Sequence, residues 1–139
     1  MKKVFTISAA ISIAAALAGC SARKNAASNL KPVETHKTGD INIVLLSETG
    51  ELQQGKNDFA VQFQDQQGQP VEVGAVQLGS SMTMPGMAPM SGESEIAPAG
   101  QTGAYRVKSN FAMSGAWRFT IEWNGPRGQG RTTFNTDVR

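Results

Sequence analysis

The chain has 139 residues, with 13 Lys and Arg, 11 Asp and Glu, one cysteine and one histidine. A single cysteine excludes an internal disulfide, so the protein must fold on its packed core alone. Because Lys2 and Lys3 are the only charged residues before Cys20, eleven basic and eleven acidic residues remain from there onward. This balanced charge, without a basic stripe, excludes the electrostatic footprint of a nucleic-acid-binding protein.

The first nineteen residues have the pattern of an export signal. Two lysines precede an uncharged apolar run over residues 4–16, which is too short to span a bilayer comfortably. The closing Leu-Ala-Gly-Cys, which ends at Cys20, resembles the lipobox of bacterial lipoproteins. This resemblance implies cleavage before Cys20, acylation of its thiol, and a lipid anchor in the cell envelope facing the periplasm, in the outer membrane if the cell has one. An ordinary signal peptide is the alternative.

Residues 20–38 after the signal are polar, and almost no large apolar side chain occurs among them. Such a segment cannot offset the entropy cost of ordering, so we predict a lipid anchor followed by a flexible tether. The remaining residues, 39–139, form one predicted domain, which is large enough to bury its own core.

The sequence of this domain predicts strands and turns, and it has no helical periodicity. Apolar and polar residues alternate with a period of two in its clearest segments, which is typical of half-buried strands. Turn residues of the Gly, Pro and Asn type separate these segments. The predicted strands are centred on residues 41–45, 59–63, 71–78, 104–108, 117–123 and 132–138, and a short one could cover residues 94–97.

About seven short strands in about 100 residues predict an all-β fold, an antiparallel β-sandwich of immunoglobulin-like type. A small barrel is the alternative architecture.

The inventory of reactive side chains argues against an enzyme. The only histidine, His36, falls in the predicted tether and the only cysteine is the predicted anchor, so no His-based triad or Cys nucleophile can form on the domain. The acidic residues are scattered, and the pair Glu93 and Glu95 is more typical of a solvated loop.

Four of the five methionines that follow the predicted signal lie within residues 82–90, at Met82, Met84, Met87 and Met90. Their neighbours belong to a loop, so we expect the thioethers to lie outside the centre of the sandwich. Pro85 and Gly86 predict a type II turn that brings Met84 and Met87 together. Three or four soft, neutral thioethers suit Cu(I) or Ag(I), and an adaptable apolar contact surface is the other interpretation.

Met113 and Trp117 form a second cluster. A thioether beside an indole could complete a Cu(I) site. The simpler interpretation makes Trp117 a core residue, because it begins the best alternating run, and packs Met113 beneath a loop.

Five segments follow one another along the predicted domain: Gly-Gln-Pro-Val at residues 68–71, the strand at residues 75–76, the methionines of residues 82–90, Gly-Ala-Tyr at residues 103–105 and Met-Ser-Gly-Ala-Trp at residues 113–117. Taken in this order, they resemble the FixH/YtkA-like domain. The resemblance covers about residues 40–138. It implies an immunoglobulin-like sandwich of the bacterial envelope, linked to copper handling, cytochrome oxidase maturation or metal efflux.

The methionine run is also similar to the Cu(I) loops of CopC-like copper carriers. FixH proper has a transmembrane helix where this chain has a lipobox, which weakens a role in oxidase assembly. The domain lacks the histidines that CopC-like proteins use for Cu(II), which argues against a Cu(II) site.

Two hypotheses follow. In the first, a lipid-anchored sandwich binds Cu(I) through Met82, Met84, Met87 and Met90, with Met113 as a further candidate, and buffers copper or passes it to a transport or assembly partner. In the second, the domain is a metal-free interaction module of an efflux or oxidase-assembly complex. The fold alone does not choose between them.

Overall fold

The structure, a computed structural model, describes residues 29–139. The predicted signal peptide and Cys20 lie outside these residues. Within them no helix is long and apolar enough to cross a membrane. Eight strands cover most of this part of the chain: β1 (Lys31–Thr38), β2 (Ile41–Ser47), β3 (Gly55–Gln64), β4 (Ala75–Met82), β5 (Met90–Pro98), β6 (Ala104–Phe111), β7 (Gly115–Gly125) and β8 (Gly128–Val138).

All strand pairs are antiparallel, in the order β1-β2-β3-β6-β5-β4-β7-β8. Strands β2-β3-β6-β5 and β4-β7-β8 reproduce the two sheets of a seven-stranded immunoglobulin domain, and β1 is added beside β2. The predicted antiparallel sandwich is therefore confirmed, with eight strands in place of about seven.

Strand β5 belongs to both sheets. Its first residues pair with β4, where Met90 lies opposite Met82. From Glu93 onward it pairs with β6, ending with Pro98 opposite Tyr105. The chain thus crosses from one sheet to the other within a single strand, next to Gly92.

The core lies between the sheets and follows the alternation of the sequence. In β7 every second residue from Trp117 to Trp123 is buried, because these side chains share the inner face. Rings of both sheets meet at the centre, where the centroids of Phe59 and Phe119 are 6.3 Å apart. This packing supplies the stability that a chain without disulfides requires.

The prediction of a flexible tether is wrong for residues 31–38, which form strand β1. These residues pair with β2 along almost their whole length. Their side chains also reach β8: a 3.0 Å hydrogen bond joins His36 Nε2 to Thr132 Oγ1, and the His36 ring stacks on Phe134 at 4.7 Å. The only histidine therefore lies on the domain and not in a tether.

Side chains alone join β1 to β8. The hydroxyl of Thr136 donates a 2.6 Å hydrogen bond to Glu34 Oε2, and no main-chain ladder links the two strands within residues 29–139. The architecture is therefore a sandwich and not a closed barrel.

The two ends of the sandwich differ in what they carry. One end, which we call the methionine end, holds the connection at residues 83–89, the turn at residues 112–114 and the loop at residues 48–54. The other, which we call the far end, holds the turns that follow β1, β3, β5 and β7. Both the start of β1 and the end of β8 lie at the methionine end, since Lys31 pairs with Ser47 and Gly115 with Val138.

Candidate functional site

The methionine loop, residues 82–90, joins β4 to β5. Met82 ends β4 and Met90 begins β5, and the two are directly opposed in the ladder. Opposed residues of an antiparallel pair project from the same face, with Cβ atoms about 4.5–5.5 Å apart. The base of the loop is therefore closed by two thioether side chains on one face.

The tip of the loop is a type II turn. The amide of Met87 donates a 3.2 Å hydrogen bond to the carbonyl oxygen of Met84, and Gly86 has a φ of 78°. A positive φ at the third position is what this turn requires, and Pro at the second position favours it. The turn predicted from Pro85 and Gly86 is confirmed, and it holds the Cα atoms of Met84 and Met87 within about 7 Å.

The four thioethers lie at different depths. Met82 is 8% exposed and belongs to the core, whereas Met87 is 58% exposed. Met84 and Met90 are half-buried. The expectation that the thioethers lie outside the sandwich centre is therefore wrong for Met82 and holds for Met87.

Gly115 explains the depth of Met82. A Cβ atom at this glycine, which has a φ of 134°, would overlap Cε of Met82. The missing side chain at the start of β7 thus makes room for the Met82 methyl group. No local signal around either residue could have predicted this contact, because it joins positions 33 residues apart across the two strands.

Met113 and Trp117 lie at the methionine end, in the turn before β7 and near the start of β7. Trp117 is fully buried and its Nε1 donates a 2.9 Å hydrogen bond to the carbonyl oxygen of Met113. Its ring packs at 5.1 Å against Phe111, so the core interpretation of Trp117 is confirmed. Met113 is 37% exposed, so its side chain is not packed beneath a loop as expected.

Below the methionine loop, strand β5 crosses from one sheet to the other next to Gly92. A Cβ atom at Gly92 would overlap Oγ of Ser80 and lie 3.3 Å from Cζ3 of Trp117. The buried Ser80 hydroxyl has no hydrogen-bond partner within the described part of the chain. Sequence reasoning missed both Ser80 and Gly92, because a serine and a glycine in a strand carry no signal of such close packing.

Other ligand types do not assemble in the part of the chain that the structure describes. Residues 29–139 contain no group of three or more His, Cys, Asp or Glu side chains that could hold a metal ion. Glu93 and Glu95 are exposed, and they lie on β5 rather than in a loop. Glu95 is directly opposite Lys108, which is a favourable cross-strand pairing of opposite charges.

The model of the YtkA-like family matches residues 35–122. The chain belongs to the YtkA-like family. Among curated proteins, none matches this YtkA-like chain.

Three solved structures are similar to the YtkA-like chain in fold. A DUF4426 family protein from Pseudomonas aeruginosa PAO1 is 15% identical, with a TM-score of 0.48 over 76% of this chain and 96% of that one. A copper-bound variant of FetP from uropathogenic Escherichia coli strain F11 is 9% identical, with a TM-score of 0.46 over 78% and 96%. The Lin-41 filamin domain is 15% identical, with a TM-score of 0.40 over 64% and 81%. The copper of the FetP structure is a property of that protein.

Proposed function

We propose that this YtkA-like protein is a lipid-anchored envelope protein that binds Cu(I) through the thioethers of Met82, Met84, Met87 and Met90. The observation that carries the proposal is the pairing of these residues by one hairpin, Met82 with Met90 across the ladder and Met84 with Met87 across the turn. Soft thioethers favour Cu(I) over hard cations. The protein would buffer copper or pass it to a transport or assembly partner.

The graded burial of the methionines supports an exchangeable site. Met82 is held in the core and provides a rigid donor, whereas the exposed Met87 can meet an incoming or departing ion. Thioethers are neutral, so they do not offset the charge of the cation. A site of such donors releases copper more readily than one of thiolates, which suits transfer rather than storage.

The first test replaces sulfur and keeps apolar volume. We expect the triple variant Met82→Leu, Met84→Leu and Met87→Leu to lose Cu(I) affinity by about tenfold or more in a titration against a competing chelator. Its fold should survive, because Leu and Met are close in volume and such exchanges cost less than about 1.5 kcal/mol each.

Met113→Leu makes the same chemical change outside the methionine loop and tests the further candidate. Native Cu(I) affinity in this variant would remove Met113 from the ligand set, and a loss would add it. Equal Cu(I) affinity in the native protein and the triple variant would contradict the assignment of these three ligands.

A second pair of variants tests the turn without removing any sulfur. Gly86→Val penalises the positive φ of the turn, although nothing lies within 4 Å of the new Cβ atom. Gly79→Val is the control, since its Cβ position is equally open and its φ lies outside the left-handed region. Only Gly86→Val should weaken Cu(I) binding.

A metal-free interaction module is the second candidate function. Met87 and Met113 are the exposed large hydrophobic residues of the described chain, and both lie at the methionine end. An adaptable apolar surface of this kind suits a protein partner. This function predicts that the native protein does not bind Cu(I) and that the triple leucine variant keeps partner binding.

A further inference from the structure

The point at which the chain enters the domain lies at the methionine end. Lys31 begins β1 opposite Ser47, the last residue of β2. The loop that follows β2 folds against this entry point, where a Cβ atom at Gly50 would lie 3.3 Å from Cβ of Lys31. In the same loop Leu52 forms a bridge with Val138.

A series of contacts at the same end connects Val138 to the methionine loop. Val138 pairs with Gly115, and Gly115 lies against the Met82 methyl group. The entry of the chain and the methionine loop are therefore on the same end of the molecule. Strands such as β7, with 11 residues, hold the far end about 33 Å away at about 3.3 Å per residue.

The predicted anchor is close to this entry point in the sequence. From Cys20 to Lys31 the chain advances eleven residues, which span at most about 40 Å in any conformation. An anchor attached at the methionine end keeps that end nearer to the membrane than the far end. The geometric bias does not depend on any metal.

We infer that the methionine loop faces the membrane that holds the anchor and exchanges Cu(I) with an integral protein of the same membrane. The exchange partner rests on the proposed function, whereas the orientation rests on the strand pairing and the anchor. Holding donor and acceptor in one membrane raises the concentration of each for the other. A freely diffusing periplasmic acceptor would gain nothing from this arrangement.

The orientation can be measured on the full lipidated protein in phospholipid vesicles. Ala88→Cys in the methionine loop and Arg127→Cys at the far end each introduce one free thiol for a donor dye, because the Cys20 thiol is acylated. Energy transfer to an acceptor dye on lipid headgroups should be clearly stronger from position 88. Equal transfer, or stronger transfer from position 127, would overturn the orientation.

Two controls test whether the short connection is the cause. Insertion of twenty Gly and Ser residues between Ser28 and Asn29 should reduce the difference between the two positions. A protein that begins at Ser21, and so lacks both the signal and the acylated cysteine, should show no transfer from either position. A difference that persists with the long insertion would overturn the short connection as its cause.

The exchange partner is tested with a methionine-rich acceptor peptide that is either lipid-anchored in the same vesicle or free in solution. The native protein should transfer Cu(I) to the anchored peptide at least about tenfold faster than to the free one. A circular permutant, opened between Pro126 and Arg127 and anchored there, should lose most of this advantage while it transfers normally to the free peptide.

The outcomes separate this inference from the proposed function. Equal rates to anchored and free peptide in the native protein would overturn the membrane partner while copper binding stands. No Cu(I) binding in any form would remove the proposed function and the exchange partner together, and the energy-transfer result would still decide the orientation. Quenching of a dye at position 88 by a quencher buried among the acyl chains would replace the protein partner with the lipid itself.

Discussion

The turns of the far end and the methionine loop are built differently. At the far end, Asp65 Oδ1 accepts hydrogen bonds of 2.9 Å from the amides of both Gln67 and Gln69, and the hydroxyl of Tyr105 donates one of 2.5 Å to the carbonyl of Gly74. At the methionine end, the connection at residues 83–89 has one such local bond, across the turn, and presents an exposed methionine.

Two glycines, Gly103 and Gly86, show the same contrast. Gly103 at the far end has a φ of 68°, and a Cβ atom there would overlap the carbonyl oxygen of Val71. Gly86 has a similar φ of 78° with open space around it. Gly103 thus needs to be glycine for both conformation and room, whereas Gly86 needs to be glycine for conformation alone. Tight turns stabilise the far end, whereas the methionine loop leaves its side chains available for contact.

The largest expected loss of stability comes from core substitutions, which test whether the contrast between the far end and the methionine loop is confined to the connections between strands. Phe63, at the far end, and Phe111, at the methionine end, are both fully buried. Replacing either with Ala should lower the free energy of unfolding by about 3–5 kcal/mol, because a ring-sized cavity remains. Urea denaturation measures both, and a much smaller loss for Phe111→Ala would extend the contrast into the core.

A smaller and unequal effect is expected from the two glycines. Gly103→Ala should cost about 3 kcal/mol or more, because strain at positive φ adds to a collision with backbone atoms. Gly86→Ala should cost about 1 kcal/mol, since only the strain applies. Similar losses of unfolding free energy in the two variants would break the comparison between the ends.

The smallest effect concerns Tyr105 at the far end, the only tyrosine of the chain. Burial, followed by the charge of Glu72 and the hydrogen bond to it, raises the pKa of Tyr105 above its ordinary value of 10.0. The unfolded chain therefore loses this proton first, so its contribution to stability is fully present below about pH 10 and is lost as the pH rises further.

The replacement Tyr105→Phe should cost about 1 kcal/mol at neutral pH, because the hydrogen bond to Gly74 is lost. It should also remove the part of the loss of unfolding free energy at alkaline pH that Tyr105 causes. Denaturation at neutral and alkaline pH, together with tyrosinate absorbance, checks both. Titration of the folded native protein at the ordinary pKa would contradict the effect of burial.

Strands with strong alternation could be predicted from the sequence, and weakly apolar ones could not. The run from Trp117 to Trp123 became the centre of β7. Strand β1 was missed because its side chains are mostly polar, and its order comes from pairing with β2 and from the contacts of His36. Such stabilisation depends on tertiary contacts, and local strand propensity does not predict these contacts. The strand predicted from Val71 begins at Ala75, after Gly74 with a φ of 82°.

The candidate site was partly predictable for the same reason. Pro85 and Gly86 determine the turn through their own backbone preferences, so the sequence indicated it correctly. The depth of Met82 depends on Gly115, a contact that forms only when the two strands are assembled. Local patterns therefore predict which methionines share a loop, whereas their burial requires the assembled sandwich.

The position of Arg139 has a practical consequence for copper measurements. The carbonyl oxygen of Arg139 accepts a 2.6 Å hydrogen bond from the amide of Gln54, and the amide of Arg139 donates one of 2.8 Å to the carbonyl oxygen of Leu52. Arg139 therefore lies beside the loop of residues 48–54. A polyhistidine purification tag placed there would bring imidazoles, which bind copper well, to the end that carries the methionine loop. Insertion of the tag in the turn between β7 and β8, about 33 Å away, keeps those imidazoles from being mistaken for the thioethers.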